Sequence, residues 1–125
     1  MATGGRKTHL QVMHEISANL TYASPLSGVL GVVPAGAILN QIHTQVATGF
    51  NSTTNTISIG TTPGGTNLVN AASIAAAARA DTAVPTAVQG PLAADTPIYF
   101  TLASTGAAPT AGQVVAWLDY VPFVG

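Results

Sequence analysis

The stretch Ile38-Leu39-Asn40-Gln41-Ile42-His43-Thr44-Gln45-Val46-Ala47 decides the fold class. Ile38, Asn40, Ile42, Thr44 and Val46 alternate with Leu39, Gln41, His43, Gln45 and Ala47. Successive side chains of a strand point to opposite faces, so a period of two marks a half-buried β-strand. The same period returns near the end of the chain, where Val115, Trp117, Asp119 and Val121 oppose Val114, Ala116, Leu118 and Tyr120. It is also present near the start, where Leu10, Val12, His14 and Ile16 share one face and His9, Gln11, Met13 and Glu15 the other.

Shorter strand candidates lie between these. They cover residues 19–23, 29–33, 56–59, 82–89 (broken by Pro85) and 98–102. The run 29–33 is continuously apolar, the pattern of a buried strand. Turn residues punctuate nearly every junction: Ser24-Pro25, Ser27-Gly28, Pro34-Ala35-Gly36, the polar loop 49–55 and the Gly-rich loop 60–65. One segment departs from the pattern. Residues 70–80 are rich in alanine behind Asn70, a good N-cap, and predict a helix of about three turns. The predicted fold is all-β: an antiparallel sandwich or barrel of about eight strands with one short helix. Residues 1–7 read as an N-terminal arm and 8–125 as a single β domain.

Composition narrows the function. Charged residues are 6% of the 125, against about 25% in an ordinary soluble domain. Three cations and a net charge of −1 cannot neutralise a run of phosphates, which argues against nucleic acid as a partner. No apolar run is long enough to span a membrane, and no basic start leads into an apolar signal segment. The absence of cysteine excludes disulfides and thiolate chemistry. What remains is a neutral domain with an apolar surface, suited to a place inside an assembly.

Little chemistry is written in the motifs. His9, His14 and His43 are the only imidazoles, and His9 and His14 point to opposite faces of one strand, so no metal or other cofactor is expected. Asp95 and Asp119 have no second carboxylate near them in sequence, and no Gly-x-Ser-x-Gly elbow is present. The loop 60–66 lacks the lysine of a phosphate-binding loop. No enzymatic activity is therefore expected. The candidate partner-binding residues are Arg6 and Lys7 on the arm, together with the aromatic anchors Phe50, Trp117 and Tyr120.

Several stretches carry a resemblance. Val32-Val33-Pro34-Ala35-Gly36-Ala37-Ile38, Gln45-Val46-Ala47-Thr48-Gly49-Phe50-Asn51 and Ile57-Ser58-Ile59-Gly60-Thr61 resemble small β-rich virion proteins of tailed phages. Pro97-Ile98-Tyr99-Phe100-Thr101-Leu102 and the segment 111–120 are similar to their last two strands. The likeness covers roughly residues 28–121 and is strongest in role to the capsid cement, or decoration, proteins, small jelly-roll or barrel domains, which implies a jelly-roll-like sandwich or barrel here. It implies a homo-oligomer, dimer or trimer, on the exterior of a phage head, made in the host cytoplasm and clamping neighbouring major capsid subunits. The family has no catalytic residues to carry over. Small tail-accessory and adaptor proteins share the Pro-Ala-Gly and Gly-Phe-Asn pattern, so a tail or receptor-binding module is the alternative. A carbohydrate-binding β-sandwich is the second alternative.

Overall fold

In the computed structural model, which describes residues 14–122, the chain forms eight strands and one 3-10 turn. The strands are β1 (His14–Thr21), β2 (Ser27–Val33), β3 (Ile38–Thr48), β4 (Thr54–Gly60), β5 (Val69–Ser73), β6 (Ala78–Ala83), β7 (Thr96–Thr105) and β8 (Gln113–Val121). They make two four-stranded sheets, in the orders β1-β8-β3-β6 and β2-β7-β4-β5. All pairings are antiparallel. The first strand pairs with the last, β2 with β7, β3 with β6 and β4 with β5. Wrapping that nested ribbon brings β8 beside β3 and β7 beside β4. This is a jelly roll, a double-sheet Greek-key arrangement; it settles the expected sandwich or barrel as a sandwich and agrees with the fold that the resemblance implied.

The core lies between the sheets. Ile42, Val114, Ala116 and Leu118 project into it from the first sheet, and Ile57, Ile59, Ile98 and Phe100 from the second. On β8 the alternation holds along the whole strand, with every second residue buried. On β3 it changes phase. Leu39 and Ile42 are both buried, whereas Ile38, which strict alternation puts on the same face as Ile42, is exposed. A register shift against β8 between Leu39 and Gln41 is the cause: one extra residue in the ladder flips the side chains beyond it.

Three sequence expectations are corrected. Residues 19–23 are not a separate strand; Asn19, Leu20 and Thr21 complete β1. The apolar run 29–33 is not buried on both faces, because β2 is an edge strand with Val29 and Val32 exposed. The helix over 70–80 does not form. Its residues supply β5 and β6, with the only 3-10 turn among the described residues further on at Thr86–Val88. Alanine favours a helix locally, but a short helix is stabilised mainly by an apolar stripe packed on a core. This segment has one large apolar side chain, Ile74, which is buried while its backbone bonds to Phe50 and Asn55. One anchor makes no stripe, and pairing with β4 and β3 satisfies the main chain instead.

Ala71 gives a direct check. It is exposed on β5 with φ of 49°, in the left-handed region that costs a side-chain-bearing residue about 1–2 kcal/mol. Ala71→Gly is expected to raise stability in urea denaturation by roughly 0.5–1 kcal/mol after glycine's own entropy cost. If the segment were helical, the same change would lower stability by about 1 kcal/mol.

Candidate functional site

The two sheets present unlike outer faces. Outward positions follow from the register: Glu15, Ser17 and Asn19 on β1; Val115, Trp117 and Asp119 on β8; Gln41, His43 and Gln45 on β3; Arg79 and Asp81 on β6. Four of the five charged residues among those described stand on this one face. The fifth, Asp95, accepts a hydrogen bond from the Ala35 amide at 2.9 Å. The outer face of the second sheet, by contrast, carries Val29, Val32, Pro97, Tyr99 and a set of serines and threonines, with no charged residue among those described.

His43 is the centre of the charged face. It points outward from the middle of β3, yet it is only 6% exposed. Its Nδ1–H donates to Asp81 Oδ1 at 2.5 Å and its Nε2–H to Asp119 Oδ2 at 2.6 Å. Trp117 stacks on the imidazole, with ring centroids 5.0 Å apart. Arg79 donates through Nε to Asp81 Oδ1 at 3.0 Å and places its guanidinium 5.2 Å from the Trp117 ring centroid. Two carboxylates on opposite ring nitrogens require both nitrogens to carry protons, so the geometry selects the imidazolium.

Burial disfavours that charge, but the hydrogen bonds and attraction from Asp81 and Asp119 outweigh it and raise the His43 pKa above 6.5. The His43 hydrogen bond, followed by that of Arg79, holds the Asp81 carboxyl below 3.8.

This arrangement is a staple across three strands. Neither ring nitrogen is free to take a proton from a substrate. The carboxylates flank the ring from opposite sides instead of converging on a point, and no cluster among the described residues could hold a metal ion.

The aromatic candidates separate. Trp117 is half-buried on the charged face. Tyr120 faces inward at the end of β8, 9% exposed, with its ring 5.7 Å from that of His14. Phe50 is a core residue, 4% exposed, lying against the backbone of Gly112. A Cβ at position 112 would fall 2.5 Å from the Phe50 ring, which is why glycine stands there. A partner therefore reaches neither Phe50 nor most of Tyr120. Arg6, Lys7 and His9 lie outside the described residues.

Sequence reasoning placed His43 on the face opposite Ile42 and Trp117 on the same face as Asp119, and the structure agrees. It missed that these two faces are one. His43 is 38 residues from Asp81 and 76 from Asp119, and only the pairing of β3 with β6 and β8 joins them.

No family model and no curated protein matches the chain. Among solved structures, it is similar to a chain of the cyanophage Pam1 capsid asymmetric unit, with 17% identity and a TM-score of 0.67 over 90% of this chain and 86% of that one. It is also similar to a chain of the capsid of Ralstonia phage GP4, with 20% identity and a TM-score of 0.60 over 92% and 86%. At such identities the likeness is one of fold, and it spans nearly the whole of each chain.

The staple makes stability depend on pH in a defined direction. The folded state holds the His43 proton more tightly than the unfolded chain, so this contribution is complete below about pH 6.5 and lost as pH rises through the raised value. Asp81 acts oppositely: its contribution is present above 3.8 and lost as pH falls through the lowered value. The urea midpoint should therefore be highest between these values and fall on both sides. His43→Gln should flatten the alkaline limb and cost about 1–2 kcal/mol near pH 5.5. An alkaline limb that persists in the variant would assign it to another group.

Proposed function

We propose that the protein is a structural component of a phage virion, a cement protein on the outer surface of the head that stabilises contacts between major capsid subunits and acts there as a homo-oligomer. The observation that carries this reading is the jelly roll itself, shared nearly end to end with chains from two phage capsids. The surface chemistry supports it. The charged side chains of the first sheet are largely engaged with one another, and the second sheet offers an uncharged face. Such a domain grips a partner by burying apolar area and by main-chain hydrogen bonds rather than by long-range charge.

The direct test is imaging of phage particles assembled with and without the protein. Added density on the head exterior, bridging capsid subunits, is the expected result; density confined to the tail would replace this reading with that of a tail-accessory module. Retention on pelleted particles across a salt series tests the mechanism. Binding should persist to about 1 M sodium chloride, where exposed charge pairs are screened within about 3 Å. Kosmotropic salts should strengthen binding and chaotropes release it. Loss at a few tenths molar, about physiological ionic strength and just above, would show that the grip is ionic.

A further inference from the structure

We infer that the uncharged face formed by β2 and β7 is a self-association surface, on which a second copy of this chain docks about a two-fold axis. The inference deepens the assembly reading above and rests on it only in treating the protein as one that works in several copies.

The register builds the surface. Val29 stands directly opposite Tyr99 and Val32 opposite Pro97, so four apolar side chains occupy adjoining sites on one outer face. Val29 and Val32 are 50% and 53% exposed, on a strand that among the described residues pairs along one edge only. Beside them lies an open dent of about 260 Å³, bounded by Val29, Tyr99 and the Pro63–Gly64 turn. Gly28, which adds no side chain, lines the same dent. The face thus carries both projecting valines and a recess.

That combination is what an isologous contact needs. In a two-fold pair the same patch meets itself, so a projection on one copy enters a recess on the other and the contact is made twice. Charge points to the same occupant. A charged partner would have to bury its charges against Val29, Val32, Pro97 and Tyr99 with nothing to pair them, whereas a second uncharged face buries none. The other edges fit less well. β1 carries Glu15 and β6 carries Arg79 and Asp81, while β5 is five residues long, with its pairing to β4 shifted in register. Charged and irregular edges resist strand-on-strand association. β2 has its own register shift between Val29 and Gly31, so the contact relies on side-chain packing across the face more than on an extended ladder.

The test uses the full chain in solution. Sedimentation equilibrium of the wild type at micromolar concentration should show a species at twice the 12.5 kDa chain mass. Val32→Asp should raise the dissociation constant about tenfold or more, as loss of a central apolar contact does, with the circular dichroism spectrum and urea midpoint retained. A second measurement removes dependence on that variant. The chain contains no cysteine, so Val29→Cys is a clean probe that should form a covalent dimer under mild oxidation. Ser17→Cys, on the charged face, should not.

A wild type that stays monomeric to high concentration would overturn the inference. So would crosslinking through Ser17→Cys in place of Val29→Cys. So would a Val32→Asp variant that keeps its oligomeric state but leaves the particles, which would make this the shell-binding face. Particle binding is scored separately. A monomer that binds heads sinks the self-association surface alone, and a dimer that ignores them sinks the cement reading alone.

Discussion

Strand β8 is hydrogen-bonded along both edges, to β1 on one side and to β3 on the other, and the rest of the molecule depends on that double pairing. It joins the two ends of the described chain and sets both faces of the first sheet at once. Val114, Ala116, Leu118 and Tyr120 enter the core, while Trp117 and Asp119 turn outward beside His43. Because β3 in turn holds β6, the same pairing brings Arg79 and Asp81 into reach of the imidazole. Core and staple are two sides of one ladder.

The division of charge between the faces follows from this. A buried imidazole surrounded only by apolar groups would lose its proton, but one with a carboxylate on each nitrogen keeps it. Once His43 is charged, its surroundings are close to electrically balanced: two carboxylates against an imidazolium and a guanidinium. Charge is scarce elsewhere in the molecule, and none of the described charged residues falls on the outer face of the second sheet. That face is left to valine, tyrosine, proline and hydroxyl groups, a surface adapted to contact rather than to isolation in water.

Asp95 ties the turn after β2 through the Ala35 amide, and asparagines hold the loops before β4 and β8. Asn55, buried at the start of β4, donates through Nδ2 to the carbonyls of Phe50 and Ser52 and so shapes the turn leaving β3. Asn51 accepts from the amides of Thr110 and Ala111 and donates to Thr110 Oγ1, tying that turn to the one before β8. Phe50, lodged against Gly112, fills the space beneath them. The Gly-Phe-Asn segment that the sequence presents as an anchor is thus an internal fastening.

The chain's own order of residues determined the class of fold and most of its parts. Alternation over β3 and β8 and turn residues at the junctions were enough for an antiparallel sandwich or barrel of about eight strands. These are local properties, because a period of two is imposed by each strand's own pleat whichever strand lies beside it. Tertiary structure decided everything that depends on a neighbour. It put residues 70–80 into two strands, since alanine's helical preference yields where there is no stripe to bury. It shifted the phase of β3 at Asn40, which pattern alone cannot reveal because a bulge belongs to a pair of strands. And it assembled the His43 staple from three strands far apart in the chain, since the choice of partner is made by closing long loops around a shared core and leaves no mark in the spacing of the residues it brings together.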